Sequence, residues 1–364
     1  MSSLLFYNIL FIVVFALQSF AIRISNKRLG KVIILGSFLL ILLMMGFRYN
    51  VGVDYAGHLG IYNSFLGKDF LDIWSGSGDV GMKLTIGTLA VNGLDAKIMF
   101  WIYGILTLYP IYKINKNDDF RNLPFSMLVF NLTILPACLN IMRQGAAMSF
   151  VLLAFDYARH NAKMKKIIIA IAMAVILHTS ALMMLPFLIV YWLSRKYNKR
   201  FWIWSLIIAV LLSIASVTFL SGILDDMGLS EYNYQLVVTK NMVLYGGAVI
   251  YDLVIYAIIL LLLLLGQKKE RKNTESKDFL SLIVGGTIFE YVGSATKFFS
   301  RISYYFSIFQ VLLIPELLQN IDKKRTRFIM EVVCVAVLIG LFVFRCYVQG
   351  YYGIFPYQTW LVLE

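Results

Sequence analysis

Long apolar runs separated by short polar stretches recur along the whole of this 364-residue chain. Leu4–Ile22, Ile33–Phe47, Ile98–Tyr112, Leu123–Leu139, Ile141–Tyr157, Phe201–Leu220, Ala248–Leu265, Phe279–Ala295, Ile302–Leu318 and Phe328–Phe344 each approach the length of about 20 residues that a helix needs to cross a bilayer. Their apolar residues are unbroken rather than alternating, which excludes a membrane β-barrel. A further run, Ile167–Leu193, carries Leu177-His178-Thr179-Ser180-Ala181 near its middle and Pro186 soon after. The pattern predicts an all-α, polytopic transmembrane helix bundle with about 11–12 membrane segments.

Charge gives the bundle an orientation. Most of the 33 Lys and Arg residues fall into clusters between apolar runs: 23–31, 113–121, 159–166, 195–200, 268–277 and 323–327. Basic clusters of this kind mark cytoplasmic loops. Placing all of them inside puts both termini outside. Basic clusters flank both ends of Ile167–Leu193, so an even number of crossings is required there. That predicts a broken helix pair over 167–193, and broken backbone at membrane depth is tolerated only where it is buried or lines a cavity. The alternative is one long tilted helix with one misplaced cluster.

The whole chain, 1–364, reads as a single integral membrane domain. It has outer loops at 48–96 and 221–247 and a cytoplasmic basic loop at 267–278. Val80–Leu94 reads as a short interfacial helix. The first run lacks a basic leader and a small-residue cleavage site, so it is expected to be a retained helix.

Composition agrees. The chain is 60% hydrophobic and only 15% charged, with mean hydropathy +0.77, whereas a soluble domain carries about 25% charged residues. The net charge of +13 therefore reflects the cytoplasmic loops and gives no reason to expect a nucleic-acid partner. Cys138, Cys334 and Cys346 lack metal-ligand spacing, and neither a metal nor a cofactor is expected. No phosphate-binding glycine loop, zinc motif or serine-hydrolase elbow occurs in the sequence.

The remaining charges gather on the outer side. Arg48 and Asp54 open the first outer loop. Arg143 and Gln144 sit at an outer turn, His178 at the break of the helix pair, and Lys297 and Arg301 before Tyr304. Pro356 and Tyr357 lie in the tail. Each has a plain reading. An arginine at a helix end snorkels to headgroups, Asp54 pairs with Arg48 or caps its loop, and tyrosines form an interfacial belt. Gly145-Ala146-Ala147 lets helices pack closely. Together they suit a diphosphate on a lipid carrier, because arginine grips phosphate bidentately. Asp54 or His178 would then take a proton from an attacking hydroxyl.

At these residues the chain resembles the EpsG/Wzy-type family of bacterial polysaccharide polymerases. The resemblance lies in Arg48-x-x-x-Gly52-x-Asp54-Tyr55, Arg143-Gln144, His178-Thr179-Ser180-Ala181, Arg301-x-x-Tyr304-Tyr305-Phe306 and Pro356-Tyr357. His58 and Gln358 depart from the family pattern, which often has an aromatic and a basic residue at those positions.

The resemblance implies a membrane glycosyltransferase in the bacterial cytoplasmic membrane, acting at its outer face on undecaprenyl-diphosphate-linked oligosaccharide. Chain-length regulator and flippase proteins would be its partners. It implies catalytic roles for His178, Asp54, Arg143 and Arg301. Substrate contacts would come from Arg48, Gln144, Tyr55, Thr179, Lys297, Tyr304 and Tyr357. A lipid-linked glycan ligase and a flippase for the same lipid-linked glycan are the competing readings, with a membrane O-acyltransferase behind them.

Overall fold

The computed structural model describes residues 3–76, 78–197, 200–212, 242–266, 270–292 and 297–362. The expected outer loop at 221–247 lies outside the described residues up to 241, as do residues 267–269 of the basic loop and the ends of the runs Phe201–Leu220 and Phe279–Ala295. The protein is an all-α, multi-pass membrane protein. Among the described residues, five helical stretches are long and apolar enough to cross a membrane: Ser3–Ala21, Lys27–Gly46, Leu123–Asn140, Arg301–Gln319 and Lys324–Val348.

Two compact units divide the chain, one formed by 1–182 with 335–364 and the other by 183–334. In the first unit, α1 (Ser3–Ala21) and α2 (Lys27–Gly46) form a hairpin. Asn26 caps α2 by accepting from the backbone N–H of Arg28 and Leu29, and the Gln18 amide donates to the Ser37 hydroxyl across the buried seam at 2.9 Å. Leu5, Ile9, Ile12, Val32, Leu35 and Leu39 are exposed on these helices, as lipid-facing residues should be.

The outer loop folds into α3 (Tyr55–Phe65), α4 (Phe70–Ser75) and α5 (Val80–Val91), the last being the short helix expected there. Lys83 is a buried cation, but its ammonium donates to the carbonyls of Trp74 and Gly76 and so ties α5 to the end of α4.

Next come α6 (Ile98–Asn117), α7 (Leu123–Asn140) and α8 (Met142–Arg159). A π turn at Phe130–Ile134 precedes Pro136, which has no N–H to continue an α-helical ladder. α8 is buried almost throughout, consistent with a helix apolar on every side. A Cβ on Gly145 would lie 2.8 Å from Cys138, so the glycine is what lets α7 and α8 approach. All three cysteines are free and buried.

The broken pair is present. α9 (Met164–Leu177) stops at His178, a 3-10 turn covers Thr179–Met184, and α10 (Leu185–Tyr197) follows. In the second unit α10 is joined by α11 (Phe201–Leu212), α12 (Met242–Leu265), α13 (Glu270–Val292), α14 (Lys297–Ser307) and α15 (Gln310–Gln319). Packing there is aromatic, with Phe187 and Phe306 edge to face at 5.0 Å, and Arg195 bonds Glu275 at 2.8 Å. α16 (Lys324–Phe342) returns to the first unit.

Contacts within the first unit establish its polarity. The end of α6 meets the end of α8: His160 Nε2 lies 3.1 Å from Asp118 and its Nδ1 3.2 Å from Asp156, while Asn117 donates to Asp156 at 2.9 Å. This is the face bearing the basic clusters. The opposite ends of α2, α8 and α9 carry Arg48, Arg143 and His178.

Hydrogen bonds to the Asp118 and Asp156 carboxylates raise His160 to about 10. A histidine whose value is raised stabilises the fold fully below its unfolded value of about 6.5 and loses that contribution as pH rises through about 10. The thermal midpoint of H160Q should therefore lie furthest below that of the unaltered protein at pH 6, and the gap should close toward pH 10.

Candidate functional site

The loop after α2 is held from two directions. The tail folds over it: Tyr49 N–H donates to the Gln358 carbonyl at 2.8 Å, Gly52 N–H to Gly353 at 2.9 Å, and Val53 N–H to Tyr352 at 3.1 Å. Gln358 acts here through its backbone, which any residue supplies. From the α7–α8 turn, the Asn140 side chain accepts from Asp54 N–H at 2.8 Å, and its carbonyl lies 3.2 Å from His58 Nε2. His58 is thus a buried packing residue. Gly52 has φ of +102°, and a Cβ there would lie 2.6 Å from the Leu139 carbonyl, so the motif glycine has both a conformational and a steric reason.

Arg48 points inward. It is 2% exposed, its guanidinium lies 4.7 Å from the Phe100 ring centroid, and Nη2 contacts the Met142 sulfur at 3.7 Å. It makes no ion pair with Asp54 among the described residues. Burial lowers the Arg48 guanidinium to about 10, which leaves it charged at neutral pH. Its Nε and Nη1 are buried and have no hydrogen-bond partner among the described residues.

One residue further along α8, Arg143 Nη1 bonds Asp79 Oδ2 at 2.7 Å and touches the Met82 sulfur at 3.4 Å. Its Nε has no partner among the described residues. The other Asp79 oxygen accepts from Thr179 N–H at 3.1 Å and from the Thr179 hydroxyl at 2.9 Å. Beside it, His178 Nδ1 accepts from Ser180 N–H at 3.3 Å and lies 2.7 Å from the Ser180 hydroxyl. Asp79 therefore joins three elements: the start of α5, the start of α8 and the broken helix pair.

Gly81 sets how closely α5 approaches the break. A Cβ on it would sit 2.6 Å from the Ile176 carbonyl and 2.9 Å from Leu177 Cα. Both are backbone atoms that cannot swing aside. G81A should cost about 1–3 kcal/mol and displace Asp79, lowering both the thermal midpoint and the activity. G57A, with nothing within 4 Å of its added Cβ, is the control and should change neither.

The first unit thus holds Arg48, Asp54, Tyr55, Arg143, Gln144, His178, Thr179 and Tyr357. Gln144 is buried in α8. Tyr55 is buried and stacks on Phe100 at 4.8 Å. Tyr357 donates its hydroxyl to the Met44 carbonyl at 3.0 Å and stacks on Phe6 at 4.5 Å. Arg301, Tyr304 and Lys297 belong to α14 in the second unit, where Arg301 is exposed; the Lys297 side chain lies outside the described residues.

Sequence reading missed Asp79, one of several loop acids. Its position directly before an apolar helix, where an acid favours the helix N-terminus, was the signal that set it apart.

The model of the EpsG family matches residues 31–359, a span that includes all of the motifs above. No curated protein and no solved structure matches the chain.

Proposed function

The chain belongs to the EpsG family, whose members are exopolysaccharide and O-antigen polymerase-type proteins, and from that membership we propose that it polymerises undecaprenyl-diphosphate-linked oligosaccharide units at the outer face of the bacterial cytoplasmic membrane. The growing glycan is transferred to a hydroxyl of the incoming unit. A bond forms between that hydroxyl oxygen and the anomeric carbon, the bond from the anomeric carbon to the diphosphate oxygen breaks, and undecaprenyl diphosphate leaves. The diphosphate already activates the anomeric carbon, so the donor needs no nucleotide.

The observation that carries this reading is the unspent donor capacity of two guanidiniums. Arg143 keeps Nε, and Arg48 keeps Nε and Nη1, without acceptors, and each arginine also spends an Nη on a methionine sulfur. Thioether sulfur is a weak acceptor, and a buried charged donor without a partner costs about 1–3 kcal/mol or more. Phosphate oxygens satisfy such donors better and stabilise the charge that builds on the leaving group.

The backbone N–H of Ser180 can only donate, so the Nδ1 it meets is an acceptor and the Ser180 hydroxyl also points its proton there. The acceptor sugar's proton passes to His178 Nδ1, with Ser180 as the relay. Arg301 is assigned a diphosphate contact by residue type and motif.

The test is to delete the gene and run the surface polysaccharide on a gel. A polymerase mutant loses the ladder and keeps single repeat units. Accumulation of lipid-linked polymer would instead identify a ligase, and units trapped inside the cell a flippase.

A further inference from the structure

On the opposite face of the first unit, the ends of α1 and α6 and the start of α2 enclose a cavity of about 400 Å3. Its walls include Lys27, Lys31, Lys116, Asp119, Ile34 and Phe120. The lysines come from two basic clusters 85 or more positions apart in the sequence, about a quarter of the chain, and the fold brings them to one opening. None of the three ammonium groups makes a hydrogen bond or ion pair among the described residues, and Asp119 is the single carboxylate in the lining. Asp119 and Phe120 both adopt left-handed backbone, with φ of +51° and +58°, uncommon for a bulky residue such as phenylalanine. That turn sets Phe120 into the cavity wall.

We propose that this cavity holds the phosphate headgroup of an anionic membrane lipid. Charge complementarity selects an anion, because three unpaired ammoniums face one carboxylate. The apolar surroundings select a lipid over free phosphate. Ile22 and Ile34 lie in the lining, and Ile22, Leu29, Val32 and Leu35 are exposed along the same helices, giving acyl chains a surface continuous with the headgroup site. Basic pockets between transmembrane helices recognise anionic headgroups in this way. The site is separate from the Arg143 end of the unit and does not depend on the activity proposed for it.

The test uses the purified full chain in detergent, with bound lipid measured by native mass spectrometry after addition of phosphatidylglycerol, phosphatidylcholine or inorganic phosphate. The unaltered protein should retain phosphatidylglycerol in preference to phosphatidylcholine, and millimolar phosphate should not displace it. K27Q/K31Q/K116Q should retain about a hundredfold less, whereas K323Q/K324Q/R325Q, which removes equal charge elsewhere, should match the unaltered protein. Equal retention of the two lipids, displacement by inorganic phosphate, or equal loss in both triple variants would each overturn the proposal. The single variants K27Q, K31Q and K116Q, each expected to lower phosphatidylglycerol retention, keep the test decisive if the triple variant fails to fold, and full retention in all three would overturn the proposal.

Discussion

R143A should abolish polymer formation at unchanged protein levels, with the transfer rate falling about 10²–10³-fold, the usual cost of removing one preorganised charge-stabilising donor. R143K should recover little of it. The ammonium keeps the charge but loses the planar fork that grips two phosphate oxygens. The partner of Arg143 sharpens the expectation. Asp79 holds Arg143 Nη1 at 2.7 Å while its other oxygen is bonded by Thr179. D79N keeps the shape and removes the charge, so it should impair transfer less than R143A and chiefly through binding of the lipid-linked donor. Polymer ladders from cells with equal protein, and initial rates in proteoliposomes, read both effects.

The second large effect is expected at the broken helix. H178A should slow transfer by about 10²–10⁴-fold, the usual contribution of a positioned general base, while binding of the lipid-linked donor is retained. S180A should fall between H178A and the unaltered protein, since the imidazole remains but the hydroxyl proposed to relay the proton to it is gone. Donor binding measured alongside the rate separates loss of chemistry from loss of the site. An H178A variant with full rate and normal donor binding would remove His178 from the reaction and leave Asp54 as the base.

The helices were legible because a bilayer leaves no alternative. Backbone polar groups in hydrocarbon must be satisfied internally, so each long apolar run had to be a helix. The break at His178 was legible for a related reason, since basic clusters at both ends of one run demand an even number of crossings. Side-chain direction was not legible. Arg48 ends an apolar run and reads as a headgroup anchor or a partner of Asp54, yet the chain turns and buries it on Phe100 and Met142. Which way a residue faces just past a helix depends on what packs there, in this case the tail at 352–360, some 300 positions away. Asp79 was hidden for the same reason. It gains its role only when α5 docks on the end of α9, through a contact that Gly81 permits and that no local pattern encodes. The hydroxyl of Tyr357, a residue expected to contact substrate, donates to the Met44 carbonyl. The motif tyrosine thus links the tail to α2.

On the proposed function, the arginines at this end of the first unit hold a diphosphate whose departure drives glycosyl transfer. The most direct measurement incubates the purified chain in proteoliposomes with a lipid-linked repeat unit and no nucleotide sugar, and counts products by mass spectrometry. The expected products are lipid-linked glycans lengthened by whole repeat units and one free polyprenyl diphosphate for each new linkage, with neither product from R143A. Elongation that required a nucleotide sugar, or that proceeded at full rate in R143A, would contradict the proposed function.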